Sequence, residues 1–206
     1  MTDEIVIVDY GMGNLQSVQK RIHKVGGKSI ISSNPNIIAN ASKIILPGVG
    51  HFGKAMNKLK DRKIFQALNQ AVLERKVPIL GICLGMQIMA KHSEEGDSEG
   101  LGWIDATVKK FKIEDKLRFK VPHMGWNTVV IKKGNPLFTN TQDNPEFYFV
   151  HSFYLDSNDK SINLNETNYE QDFVSAIQLD NIFGVQYHPE KSHDAGNSLF
   201  KNFINL

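Results

Sequence analysis

Along the first half of the chain, short uninterrupted apolar runs alternate with longer stretches whose apolar positions recur at helical spacing. The runs are EIVIV (4–8), SII (29–31), KIIL (43–46) and PILGI (78–82). Runs that are apolar throughout suit strands covered on both faces, as in a parallel sheet. Between them, LQSVQKRIHKVG (15–26) carries a helical period that stops at Gly26–Gly27, and residues 52–60 and 65–75 repeat the pattern. Such alternation predicts right-handed βαβ units.

After residue 100 the pattern changes. ATVKKFKI, LRFKV, NTVVIK, FYFVHSFYL, FVSAIQ and IFGVQYH read as strands between turn residues, and GNSLFKNFINL closes as a helix. The expected fold is α/β, with a central, mostly parallel (mixed) sheet flanked by helices and a β-rich second half. No Pro/Gly/Ser-rich linker divides the halves, so a single domain over residues 1–206 is expected.

Charge narrows the range of partners. The formal net charge is +2 with both signs interspersed, which argues against a nucleic-acid or charged-membrane surface. The most charged stretch, KKFKIEDKLRFK (109–120), alternates charge with Phe, Ile and Leu and fits a solvated strand pair. No segment approaches the roughly 18 apolar residues of a membrane span. The start, MTDEIVIVDYG, lacks the basic residues and long apolar core of a signal peptide. One cysteine excludes a disulfide framework within the chain, and a cytoplasmic location is expected.

That cysteine, Cys83, lies in GICLG where a strand should end and LGMQIMAKH should begin as a helix. The G-x-C-x-G arrangement is the cysteine form of a strand-turn-helix nucleophile elbow. The strained nucleophile needs neighbours without bulk two residues before and after, and a helix N-terminus favours thiolate. An inert core cysteine needs neither glycine. A nucleophile also needs a base and a group to orient it. His23, His51, His92 and His193 fall on a helix face or in polar loops. His188 instead closes IFGVQYH and is followed by Pro189 and Glu190, which in an extended chain points to the same side. Cys83, His188 and Glu190 are the candidate triad. Gly11-x-Gly13 opens a dinucleotide-like loop, but the third glycine position is Gln16, so no nucleotide cofactor is expected, nor any metal.

Together IVDYGMGNLQSV, LPGVGHFGKAM, GICLGMQ, PHMGWN, YFVHSF and GVQYHPEKS resemble the triad-type (class I) glutamine amidotransferases across essentially the whole chain. More narrowly, the DYGMGN, PGVG and GWN combination is similar to the glutaminase subunits of imidazole glycerol phosphate synthases, which supply ammonia in histidine biosynthesis. The resemblance implies L-glutamine as substrate. It places the oxyanion donors at Leu84 and in the strand Gly48–Val49–Gly50, and the substrate's amino-acid end at Gln87, Ser152 and Phe153. It also implies a heterodimer with a (βα)-barrel cyclase/synthase subunit, contacted by Asn14, Trp126, Tyr148 and Lys191. Size agrees, because the triad and its scaffold leave no second domain to accept the nitrogen.

Two features depart from the commonest family pattern. Asp105–Ala106 replaces a Pro-Gly-like turn, and His193–Asp194 adds polar residues after HPEKS. Both resemble paralogues feeding ammonia to amidotransferases of surface-sugar synthesis. A cysteine peptidase-like hydrolase would share the elbow without needing PHMGWN or YFVHSF, and a redox-sensing module would not need HPE.

Overall fold

The computed structural model describes residues 4–206. Strands and helices alternate through the first half: β1 (Glu4–Val8), α1 (Leu15–Lys24), β2 (Lys28–Ser32), α2 (Pro35–Ala39), β3 (Ile44–Gly48), α3 (Phe52–Asp61), α4 (Ile64–Asn69) and β4 (Ile79–Cys83). A one-turn helix α5 (Leu84–Gln87) then leads to β5 (Ala90–Ser93), β6 (Ser98–Glu99) and β7 (Ile104–Lys110). The second half is β8 (His123–Thr128), β9 (Val130–Ile131), β10 (Glu146–His151), β11 (Phe153–Ser157), β12 (Asn163–Tyr169), β13 (Gln171–Leu179) and β14 (Ile182–Val185), closed by α6 (His193–Ile204).

The main sheet runs β2-β1-β3-β4-β14-β13-β11-β7-β5-β6, with β12 and β9 joined beside β13. From β2 to β14 all neighbours are parallel. Beyond β14 the pairing is antiparallel except for β5 with β7. A separate antiparallel ribbon joins β8 to β10. Among the described residues no helix is long and apolar enough to cross a membrane.

The all-apolar strands serve two cores at once. Val6, Val8, Ile44, Leu46 and Ile79 face α2, α3 and α4 through Ile38, Phe52, Leu59 and Leu68. Ile5, Ile7, Ile45, Leu80 and Ile82 face α1 and α6 through Val18, Ile22, Phe200 and Phe203. Each such side chain stabilises by about 1.5–3 kcal/mol on burial, so strand alternation locks the register.

Several expected elements differ. LRFKV is no strand: Asp115 Oδ1 accepts from the backbone N–H groups of Leu117 and Arg118, closing a turn, and Leu117 is 93% exposed. β7 ends at Lys110, so the strand pair expected over 109–120 does not form. The helix expected over LGMQIMAKH ends after Gln87 because Ala90–Ser93 pairs with β7 instead. FYFVHSFYL divides at Ser152 between the ribbon and the main sheet.

The elbow itself is steric. A Cβ on Gly81 would lie 2.7 Å from Gly85 O and Met86 N, and one on Gly85 only 1.8 Å from Leu46 O. Both glycines are required where α5 presses onto β3 and β4. Gly85→Ala should therefore lower stability by about 1–3 kcal/mol, while Gly134→Ala, with open space around it, should change it by less than about 0.5 kcal/mol. Denaturant midpoints test this; equal midpoints for the two variants would contradict the steric account.

Candidate active site

The parallel strands end together at a cleft of about 270 Å³. Cys83, the last residue of β4, has φ 54° and ψ −111°, a conformation that L residues rarely adopt. Its strand neighbour in register is Gly48 of β3. Val49 and Gly50, just beyond, reach the cleft, as do Leu84, Gln87, Ser152, Phe153 and His188. Gly48 itself is buried beside Cys83 and does not line the cleft.

His188 Nδ1 and Glu190 Oε1 lie 2.8 Å apart, both side chains buried. The route to this pair differs from the expected one. β14 stops at Val185, and Pro189–Lys191 is a 3-10 turn that folds the carboxylate back, so strand alternation is not what joins them. His188 is held by the ribbon: its N–H donates to Tyr148 O at 2.8 Å. Ser192 Oγ donates to His188 O at 2.6 Å and accepts from Tyr148 N at 3.0 Å. Arg21 Nε donates to Glu190 O at 3.0 Å. Burial opposes charge on His188, but its hydrogen bond to Glu190 and the charge interaction with Cys83 and Glu190 prevail and lift its pKa to about 10. Among the described residues its other nitrogen, Nε2, has no hydrogen-bond partner.

Sequence reasoning missed Glu95, Pro122, Val150 and His151, which also line the cleft, and Gln186, buried behind Cys83. His151 and Pro122 lie in YFVHSF and PHMGWN, so the motifs pointed at them. Glu95 had no local signal. Its Oε2 accepts from Phe52 N at the start of α3, 2.7 Å away.

His151 belongs to a buried polar chain whose direction is fixed by its end. The Phe153 carbonyl can only accept, so His151 Nδ1 carries the proton across the 2.8 Å contact. His151 Nε2 is then the acceptor for His123 Nδ1 at 3.0 Å, and His123 Nε2 accepts from Asn127 Nδ2 at 3.2 Å. Both rings are neutral, because burial lowers His123 to about 4 and His151 to about 3.

The expected partner residues fall mostly together. Trp126 and Tyr148 face each other across the β8–β10 ribbon with ring centroids 6.1 Å apart, and Lys191 Nζ sits 5.2 Å from the Tyr148 ring. His193, one of the departing residues, stacks on Trp126 at 5.0 Å and 3°. Asn14 is exposed at the start of α1. Asp105, the other departure, is in β7 and pairs with Lys91 at 2.9 Å.

Fold and cleft define an α/β protein with a cysteine on a strand-to-helix elbow, backed by a buried histidine–carboxylate pair. The profile of the family described as Glutamine amidotransferase class-I matches residues 6–206. Imidazole glycerol phosphate synthase subunit HisH 2 of Methanococcus maripaludis is 50% identical over 97% of this chain and 98% of its own. Subunit HisH 1 of Campylobacter jejuni is 45% identical over 98% and 100%. Among solved structures, PurLQS from Thermotoga maritima superposes with a TM-score of 0.76 at 18% identity, covering 100% of this chain and 99% of that one. A glutamine amidotransferase of the same organism gives 0.63 at 18%, over 91% and 76%. The chain belongs to the class-I glutamine amidotransferase family and, within it, to the HisH group.

The neutral histidine pair predicts acid sensitivity. His123 and His151 have folded pKa values below the ordinary 6.5, so below about pH 6.5 the unfolded chain takes up protons that the folded chain refuses. The pair's contribution to stability is complete above that value and falls as pH drops toward 4. His188, raised instead, has the opposite sign, but its slope lies above 6.5. The denaturant midpoint should therefore decline between pH 6.5 and 5; a midpoint that rises or stays flat there would contradict a neutral, buried pair.

Proposed function

We propose that the whole chain acts as one glutaminase domain that hydrolyses L-glutamine through Cys83, His188 and Glu190. The observation that carries this is the 2.8 Å His188–Glu190 pair beside the elbow cysteine. Cys83 sulfur attacks the side-chain amide carbon of glutamine. His188, protonated at neutral pH because its pKa is raised to about 10, gives its proton to the leaving nitrogen, and ammonia departs. The resulting thioester is opened by water: His188 takes a proton from it as its oxygen attacks, glutamate leaves, and the thiolate–imidazolium state returns. Glu190 holds His188 in the tautomer this requires. The Leu84 N–H and the Val49–Gly50 backbone just beyond β3 receive the oxyanion, worth on the order of 2.7–4 kcal/mol for one donor. Gln87, Ser152 and Phe153 receive the substrate's amino-acid end, and the Glu95 carboxylate suits its α-ammonium.

As in the HisH subunits that it resembles, the ammonia passes to a (βα)-barrel cyclase subunit of imidazole glycerol phosphate synthase, in the cytoplasm. The docking face is the Trp126–Tyr148–Lys191 cluster with Asn14. No metal or cofactor takes part in this chemistry.

The test is glutamine turnover with and without the loaded synthase. The isolated chain should be slow and the complex roughly a hundred- to thousandfold faster, with Cys83→Ser inactive in both. Full activity of the isolated chain would point to an uncoupled hydrolase, and full activity of Cys83→Ser would remove the nucleophile.

A further inference from the structure

Gln186 follows directly on β14, whose last residue, Val185, pairs with Ile82. The parallel register therefore brings Gln186 level with Cys83. Its backbone N–H donates to Ser175 O at 2.9 Å, and the side chain is fully buried. Gln186 Nε2 lies 3.6 Å from Cys83 Sγ, an ordinary length for an N–H···S hydrogen bond.

Which end of a buried amide faces the sulfur is decided elsewhere. The Phe153 carbonyl accepts only, so Gln87 turns its NH2 group toward it at 2.9 Å. The same NH2 group lies 2.9 Å from Gln186 Oε1. A donor needs an acceptor, so Gln186 presents oxygen to Gln87 and its NH2 group to Sγ. His151 Nδ1, donating to the same carbonyl, holds it in place. A flipped Gln186 would set two donors against each other at one end and an oxygen against sulfur at the other. Gln87 and Phe153 also line the cleft, so the residues that face the substrate aim this donor.

We propose that Gln186 is a further catalytic residue, whose amide N–H stabilises negative charge on Cys83 Sγ before attack and again when the sulfur leaves the thioester. A donor fixed in advance at the atom where charge gathers requires no reorganisation during the reaction. The inference rests on Cys83 being the nucleophile.

The test is the rate at which iodoacetamide alkylates Cys83 in the full-length chain at neutral pH, beside glutamine turnover. Gln186→Met keeps length but loses the donor and should slow alkylation about tenfold or more, as expected for one hydrogen bond to a charged atom. Gln186→Glu keeps the hydrogen bond from Gln87 but turns a carboxylate oxygen to the sulfur, and should be slower still. A merely structural Gln186 gives the reverse order, with the isosteric Gln186→Glu near wild type, and that result overturns the proposal. Should Gln186→Met not fold, Gln186→Glu alone decides. Cys83→Ser separates the two readings. If it is inactive while both Gln186 variants behave as wild type, only the role of Gln186 falls. If it hydrolyses glutamine normally, the nucleophile assignment falls and this one with it.

Discussion

Cys83 is held at φ 54° and ψ −111° by its surroundings, and most of the site follows from that constraint. β4 is clamped between β3 and β14, so the chain cannot relax sideways. The helix that follows lies so close to β3 that only glycine fits at position 85. The strain, of order 1–3 kcal/mol for such a backbone, is supported by the two-sided apolar core of the sheet. Its return is a sulfur raised at the strand ends, where Gly48, Gln186 and His188 converge.

The second organising element is a single acceptor, the Phe153 carbonyl. Two donors meet there, His151 Nδ1 and Gln87 Nε2. From one, a polar chain runs through His123 to Asn127 on the ribbon that carries Trp126. From the other, it runs through Gln186 to the nucleophile. Every donor direction in the chain follows from the fact that a carbonyl cannot donate. The ribbon proposed to dock the synthase and the sulfur proposed to attack glutamine thus share one hydrogen-bonded frame. The same ribbon holds His188 through Tyr148 O.

Much of this was legible in sequence. The strand runs β1, β3 and β4 are apolar on both faces, and that signature needs no knowledge of partners. The elbow was legible because its glycines are steric requirements, and HPE because its residues are adjacent. What failed was nonlocal. FYFVHSFYL keeps its alternation through Ser152 while changing sheets, since periodicity does not name a strand's neighbour. In LGMQIMAKH residues 84–90 are buried without a break, so the stretch lacks the one-sided stripe that separates helix from strand. β12 went unseen because its inward side chains are polar: Asn165 and Thr167 are buried and satisfied by Ser175. Gln186 was hidden in the same way. Its importance lies in which atom its amide faces, set by a carbonyl 33 residues earlier in the chain.

The central claim is that the elbow presents Cys83 sulfur to glutamine in this cleft. The most direct measurement uses a glutamine analogue with a diazo ketone in place of the carboxamide, followed by peptide mass spectrometry and residual activity. The account predicts one label per chain, on Cys83, formed in step with the loss of glutamine hydrolysis and slowed by added glutamine. Inactivation without label on Cys83, or labelling that glutamine does not protect against, would contradict it.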